Sequence, residues 1–334
     1  MNRPNGSPSA GGRASRSAPD GAHRRVLWGP VIGLGLVSLA ADVVSDGARP
    51  LAGPLLAQLG ASALVVGLVT GAAEAAAQGL RLVFGPWADH TRSYWSFTLA
   101  GYGLTAVFVP LLAVAPLAGT SGLVLASVLI IGDRIGKAVR SPAKTVLLAA
   151  VAEPVGRGRG FAVHKSLDLV GALLGPILVA AVLTATGNLS AAFAVLSIPA
   201  AAAMFLLFWL RRRIPDPGTR QTPEVAARQA RETAVVPAAP AVAGRPASLF
   251  TRNFVLFAAA AFCWSTGLVA FGVISFHLTT TAAVPVSTVA LLYAAAMAAA
   301  ALGALASGVL YDRSGAWVLL SIPVLTAAVP VLAL

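Results

Sequence analysis

The chain has 334 residues, 57% of them apolar and only 11% charged, and its mean hydropathy is +0.81. A soluble domain carries about 25% charged residues and has no interior large enough for this much hydrocarbon, so the composition is that of an integral membrane protein. Lys and Arg number 24 against 12 Asp and Glu, a net charge of +12, but no soluble face gathers these cations, which excludes a nucleic-acid binder.

A helix needs about 20 apolar residues to cross roughly 30 Å of hydrocarbon, so gaps between charges measure spans. The first 25 residues, rich in Ser, Gly and Arg, read as a disordered tail; Arg24 and Arg25 suggest a signal sequence, but the apolar stretch after them is too long and carries acids. Charged but mainly apolar stretches at 26–51 and 63–84 come next. The 40 uncharged residues from Ser93 to Gly132 are broken by Pro116, Gly119 and Gly122, which predicts helices at 95–115 and 122–151. The 42 from Leu169 to Leu210 turn at Thr186, Gly187 and Asn188, giving 160–184 and 189–210. Residues 214–248 change to Arg, Pro, Glu, Gln and Ala, the composition of a linker. Beyond it, 59 uncharged residues from Asn253 to Tyr311 and 21 from Ser314 to Leu334 predict spans at 250–278, 287–310 and 316–334.

This makes an all-α integral membrane protein of about nine transmembrane helices. The turns at 116–121, 185–188 and 279–286 contain no Lys or Arg, whereas the opposite side collects Arg24, Arg25, Arg92, Arg157, Arg159, the 211–252 cations and Arg313. Cytoplasmic loops are the cation-rich ones, so the N-terminus is expected inside.

An internal repeat runs through the chain. Gly85-Pro86-Trp87-Ala88-Asp89 follows the second span and Gly308-Val309-Leu310-Tyr311-Asp312-Arg313-Ser314-Gly315 the eighth, at an offset of 223. The same offset carries Val26 to Leu249 and Trp95 to Val318. The pattern Gly-x-x-x-Asp-Arg-x-Gly between the second and third spans of each half resembles the signature of the major facilitator superfamily (MFS), whose parallel halves have six spans each. The second copy matches fully; in the first, His90, Thr91 and Arg92 follow Asp89, so the glycine is missing and the cation has moved. The resemblance implies a cytoplasmic gate at Gly85, Asp89, Arg92, Gly308, Asp312, Arg313 and Gly315. Gly171, Gly175 and Pro176 in the fifth span resemble the family's antiporter motif, although its usual following glycine pair is replaced by Val179 and Ala180. Asp42 to Asp46 and Asp133 to Pro142 resemble a prokaryotic subgroup of the family.

The implied fold is an MFS fold with a complete six-helix N-terminal bundle at 26–213, a cytoplasmic linker at 214–248 and a partial three-helix bundle at 249–334. On the first half's geometry a whole second half would end near 435, so the last three helices are expected to be missing. The implied function is secondary active transport of a small solute by alternating access, proton-coupled and in the efflux or antiport sense. The alternative is a membrane fragment or scaffold without transport.

Ionisable residues inside a membrane cost about 2.5 to 3.5 kcal/mol each and mark functional sites or fixed pairs. Asp42, Asp46 and Arg49 share one helix face in the first span; Glu74, Gln78 and Arg81 do so in the second, Asp133, Lys137, Arg140 and Lys144 in the fourth, and His164 and Asp168 in the fifth. Asp42, Asp46 and Glu74 are the proton-carrying candidates, and Arg134, Lys137, Arg140, His164 and Asp168 line the same interior. Arg81 is expected to pair with a fourth- or fifth-span acid, and Arg134 to sit in a fixed ion pair. The 223 offset turns Asp42, Asp46, Arg49 and Glu74 into Ser265, Val269, Gly272 and Met297, so coupling chemistry belongs to the first half, with Trp264, Phe271, Phe276 and His277 as an opposite wall. No Gly-x-x-x-x-Gly-Lys-Ser/Thr loop or catalytic constellation is present, so neither an ATP-driven pump nor an enzyme is expected. One cysteine, Cys263, and four histidines give no disulfide and no basis for structural zinc; no cofactor is expected, and the partners are the bilayer, a small-molecule substrate and protons.

Overall fold

A computed structural model describes residues 21–217 and 270–314, with Arg252, Val255, Leu256 and Ala259 between them. The linker from residue 218 on, most of the expected seventh span with Trp264, and the expected ninth span with Gly315 lie outside the described residues. Among those described, every regular element is helical.

The first crossing is α1 (Gly21–Ala48), a single 3₁₀ turn (Arg49–Leu51) and α2 (Ala52–Gln58). It extends further at both ends than the 26–51 expected. Residues 21–25, expected to belong to the disordered tail, are its first turn. Ala22, Arg24 and Arg25 are good helix formers and nothing interrupts them before the apolar run, so charge marks where the membrane begins and not where the helix begins. The second crossing is α3 (Ala63–Gly79) with α4 (Arg81–Thr91). The Ser62 hydroxyl caps α3 by accepting from the Val65 N–H at 3.4 Å. Then come α5 (Tyr94–Leu111), α6 (Gly122–Ala152), α7 (Arg157–Thr186), α8 (Leu189–Val195) and α9 (Ser197–Arg213). Asn188 starts α8 by accepting from the Ser190 N–H at 2.8 Å and the Ala191 N–H at 3.4 Å. After the linker follow α10 (Phe271–Thr280) and α11 (Val286–Ser314).

Six of these stretches are long and apolar enough to cross a membrane. The longest, Tyr94–Val155, is 62 residues and at 1.5 Å per residue is far too long for one crossing. It reverses at Gly119, whose φ of 58° and ψ of −129° belong to glycine. It is therefore a hairpin of α5 and α6, as the break at 116–122 predicts. Turns at 58–61, 186–188 and 281–285 meet at one end of the molecule, where Gln58, Thr186, Asn188, Thr279 and Ser287 line a common cleft of about 820 Å³.

Two apolar cores stack along the helix axes. One lies toward the cleft and joins Val44 to Leu56, Val66 to Ala73, Val109 to Ala115, Ala126 to Ile130, Val179 to Leu183 and Phe193 to Ala200. The other joins Val31 to Ala41, Trp95, Tyr102, Leu147 to Ala152 and Ala203 to Leu210 at the opposite end. Along α1 the first core begins at Val44 and the second stops at Ala41; along α6 they are separated by residues 131–146. Asp42 on α1 and the charges from Asp133 to Lys144 on α6 fall in that gap, whereas Asp46 and Arg49 lie beside the first core. Outward faces are apolar instead, with Leu64, Leu82, Leu117 and Phe205 exposed, as lipid contact requires.

Candidate functional site

The 3₁₀ turn at the end of α1 puts the Arg49 guanidinium at the centre of a polar network. Its Nη2 lies 3.3 Å from Glu74 Oε1 on α3, and its Nε 3.7 Å from Asp46 Oδ1 one turn back. Its Nη1 donates to the Tyr293 hydroxyl on α11 at 3.4 Å, and that hydroxyl donates to Asp46 Oδ1 at 3.2 Å. Glu74 is shared, because Arg134 Nε on α6 approaches the same oxygen at 3.7 Å. Arg134 Nη1 lies 3.9 Å from Asp133, which accepts from the Ser45 hydroxyl at 3.5 Å. Asp46, Asp133 and Arg134 are 5%, 5% and 7% exposed, so these pairs stand in low dielectric where a missing partner is costly. Arg134, expected in a fixed ion pair, lies within ion-pairing distance of Glu74 and Asp133, while its Nη1 is buried without a hydrogen-bond partner. Three carboxylates here face two guanidiniums.

A second group lies further along α1 and α6, away from the cleft. Lys144 donates to the Ser38 hydroxyl at 2.8 Å, which lies 3.2 Å from the Tyr102 hydroxyl. Arg140 donates to Thr105 at 2.5 Å and stacks 4.6 Å above the Tyr102 ring, a cation–π contact. His164 Nε2 lies 3.6 Å from Asp168 Oδ1, too long for a hydrogen bond, and neither imidazole nitrogen has a hydrogen-bond partner. Lys165 lies 3.8 Å from the other Asp168 oxygen. Asp42 and Lys137 are half-buried, and among the described residues neither makes a hydrogen bond or an ion pair.

Arg81 departs from expectation. Among the described residues no acid lies within ion-pairing distance of it, and its Nε is buried without a partner. The fourth- and fifth-span acids are engaged elsewhere, Asp133 by Arg134 and Ser45 and Asp168 by Lys165. Sequence reasoning missed Tyr293. The second half was expected to lack the coupling charges and to offer Trp264, Phe271, Phe276 and His277 as the opposite wall; Tyr293, not among these, bonds two of the first-half charges. Phe271 packs edge-on against Tyr293 with centroids 4.7 Å apart, whereas His277 is exposed. Tyr293 is the lone polar side chain deep in an apolar span, and that isolation is the signal that was available.

Both copies of the Gly-x-x-x-Asp pattern sit inside helices, since α4 runs on to Thr91 and α11 to Ser314, past the span ends expected at 84 and 310. Asp89 accepts from the Tyr94 hydroxyl at 3.2 Å, tying α4 to α5. Arg92, where the pattern has glycine, caps α4 with φ of 52°. The backbone keeps the glycine conformation although the glycine is gone. Gly171 and Gly175 bring α7 against α1 backbone to backbone: a Cβ on Gly175 would stand 2.5 Å from the Val43 carbonyl oxygen and 2.7 Å from the Gly47 nitrogen, and one on Gly171 would strike Leu39. Pro176 lies inside α7 at that contact.

The family model for the Major Facilitator Superfamily matches residues 34–334. An uncharacterized protein of Mycobacterium tuberculosis (strain ATCC 25618 / H37Rv) is 48% identical over 316 residues, covering 92% of this chain and 72% of the relative. An uncharacterized protein of Mycobacterium bovis matches to the same extent. An uncharacterized MFS-type transporter of Methanocaldococcus jannaschii is 29% identical over 145 residues, 43% of this chain and 35% of the relative. Packed membrane-crossing helices, a charged interior between apolar cores and a family match over most of the length lead to one conclusion: the chain is a multi-pass membrane protein that belongs to the major facilitator superfamily, a family of secondary transporters.

Proposed function

We propose that the protein moves a small solute across a bacterial cytoplasmic membrane by alternating access, coupled to protons and in the antiport or efflux sense. The N-terminus lies inside in this reading. The chain divides into a six-helix bundle at 26–213, a linker at 214–248 and a second bundle from 249, with nine crossings in the 334 residues. The observation that carries the coupling is the charge count around Arg49. Asp46, Glu74 and Asp133 share the guanidiniums of Arg49 and Arg134, and a carboxylate that shares its cations in a membrane-spanning site is suited to load and release a proton. Glu74 suits the role because it bridges both cations and its side chain is 43% exposed. The contact of Gly171 and Gly175 with α1, with Pro176 next in the motif, supports the antiport direction through the motif's resemblance.

Alternating access requires elements that exchange contacts between two bundles. Tyr293 on α11, holding Asp46 and Arg49 on the first crossing near the cleft end, is suited to break and re-form. The test is proton movement into proteoliposomes loaded with a pH-indicating dye when solute is added on one side. Glu74→Gln and Asp46→Asn are expected to abolish solute-dependent proton flux while solute exchange at equal pH persists. Undiminished proton flux in both variants would refute the coupling.

A further inference from the structure

The cleft between the turns at 58–61, 186–188 and 281–285 lies apart from the charged network. Its volume of about 820 Å³ falls within the roughly 300–1,000 Å³ usual for small-molecule sites. Its walls come from both halves, with α2 and the turn from α7 to α8 on one side and the end of α10 and the start of α11 on the other. One turn back along α2 and α10 the halves touch, since a Cβ on Gly53 would strike the Gly272 carbonyl and the Ser275 hydroxyl. Packed backbone thus closes the cleft beneath.

None of the described residues that line it is charged, so an ion leaving water for this cleft meets no counter-charge. The uncharged groups are set in advance. Thr186, Thr279 and Thr280 each donate the hydroxyl proton to a carbonyl of their own helix, at 2.7 Å to Val182, 2.8 Å to Ser275 and 2.8 Å to Phe276, which leaves their oxygens to accept. Asn188 is committed the other way: its Oδ1 takes the Ser190 N–H at 2.8 Å, so its amide N–H groups remain to donate. Gln58 and Ser287 bond no other described group and are free to do either. Pro54, Leu183 and Val286 add apolar wall between these groups. A ligand that answers such a lining repeats a group that both donates and accepts, bears no charge and presents C–H faces. We propose that the cleft is a binding site for a neutral polyhydroxylated solute, a sugar or sugar alcohol, whose hydroxyls donate to the threonines and accept from Asn188 and Gln58. This site is separate from the proton-coupling residues and does not depend on them.

The experiment is equilibrium dialysis of radiolabelled probes against the purified full chain in lipid nanodiscs, with no gradient applied. The neutral probes are D-glucose, D-mannose, D-mannitol, myo-inositol, sucrose and maltose; the charged ones are D-glucosamine and D-glucuronate. At least one neutral probe should bind saturably, with both charged probes weaker than the tightest by about tenfold or more. Asn188→Asp keeps the oxygen that caps α8 but replaces the donor with an anion, so neutral binding should fall by about tenfold while glucosamine gains. Gln58→Leu, at an exposed side chain, should weaken neutral binding by about threefold or more. Absence of saturable binding by every neutral probe overturns the proposal. So does a charged probe that binds the unmodified protein as tightly as the best neutral one, a comparison that needs no folded variant. Neutral binding equal in the parent and both variants places the ligand elsewhere and overturns it too. Sugar binding without solute-linked proton flux defeats the coupling reading alone; proton-coupled flux without sugar binding defeats this site alone.

Discussion

Replacing Gly175 by Ala tests whether α1 and α7 are held by direct backbone contact. The added methyl would stand 2.5 Å from the Val43 oxygen, 2.7 Å from the Gly47 nitrogen and 3.1 Å from the Gly47 Cα, where ordinary contact starts at 3.4 Å. The helices must part by roughly 1 Å, and because the obstacles are backbone atoms no rotamer change relieves them. Overpacking of this kind costs about 1–3 kcal/mol, against a gain of up to about 1 kcal/mol from exchanging glycine for alanine in a helix. With the full propensity gain the net loss is about 0–2 kcal/mol. Gly103→Ala is the control, since its methyl would meet only the Met204 Cε at 4.0 Å and so keeps the propensity gain. The two variants should differ by about 2 kcal/mol, several degrees in Tm at roughly 2–4 °C per kcal/mol, in thermal unfolding followed by tryptophan fluorescence in detergent. Equal Tm values for Gly175→Ala and Gly103→Ala would refute the contact.

Arg92→Gly should stabilise the protein by about 1 kcal/mol, because Arg92 holds a left-handed conformation with φ of 52° that costs any residue with a Cβ; a lower Tm than the parent's contradicts this. Glu74→Ala takes the shared acid from Arg49 and from Arg134, whose side chain is 8% exposed, and should cost about 1–2 kcal/mol. Arg157→Ala, from a pair with both side chains at least 67% exposed, should cost less than about 0.5 kcal/mol, and the same melting series checks the order. With Cys263 replaced, Ala118→Cys and Ala282→Cys should react with an impermeant maleimide added to intact cells; reaction confined to inverted vesicles reverses the proposed orientation.

The crossings of the first half were legible because burying a charge in hydrocarbon is expensive enough to leave uncharged gaps of the right length. The reversal near Gly119 was legible for the same reason, as two crossings' worth of apolar residues contain a cluster of helix breakers. Helix ends were not. Residues 21–25 and 85–91 continue helices into charged sequence, since backbone hydrogen bonding does not stop where hydrocarbon does. One-face spacing put Asp42, Asp46 and Arg49 on one side of α1, but only Asp46 and Arg49 pair there, and the same spacing misled for Arg81, because it says nothing about how a helix is rotated against its neighbours. Tyr293 went unread for a related reason: an aromatic ring in an apolar helix looks like packing until the acid and the guanidinium on the facing helix are known.

The Tyr293 tie is made by a neutral hydroxyl. Two neutral-to-charged hydrogen bonds of 3.2 and 3.4 Å are worth a few kcal/mol at most, whereas a buried cation in that position would leave a bare charge behind on every separation. A difference of 1.4 kcal/mol is a factor of ten in population, so in the proposed cycle a latch of this strength would let the separated arrangement exist as a minor species without a ligand. A ligand favouring one arrangement by about 5.5 kcal/mol then carries the ensemble from 1:99 to 99:1. In the proposed alternating-access cycle the phenol would make this contact a reversible bias on an equilibrium, weak enough for cargo to overturn.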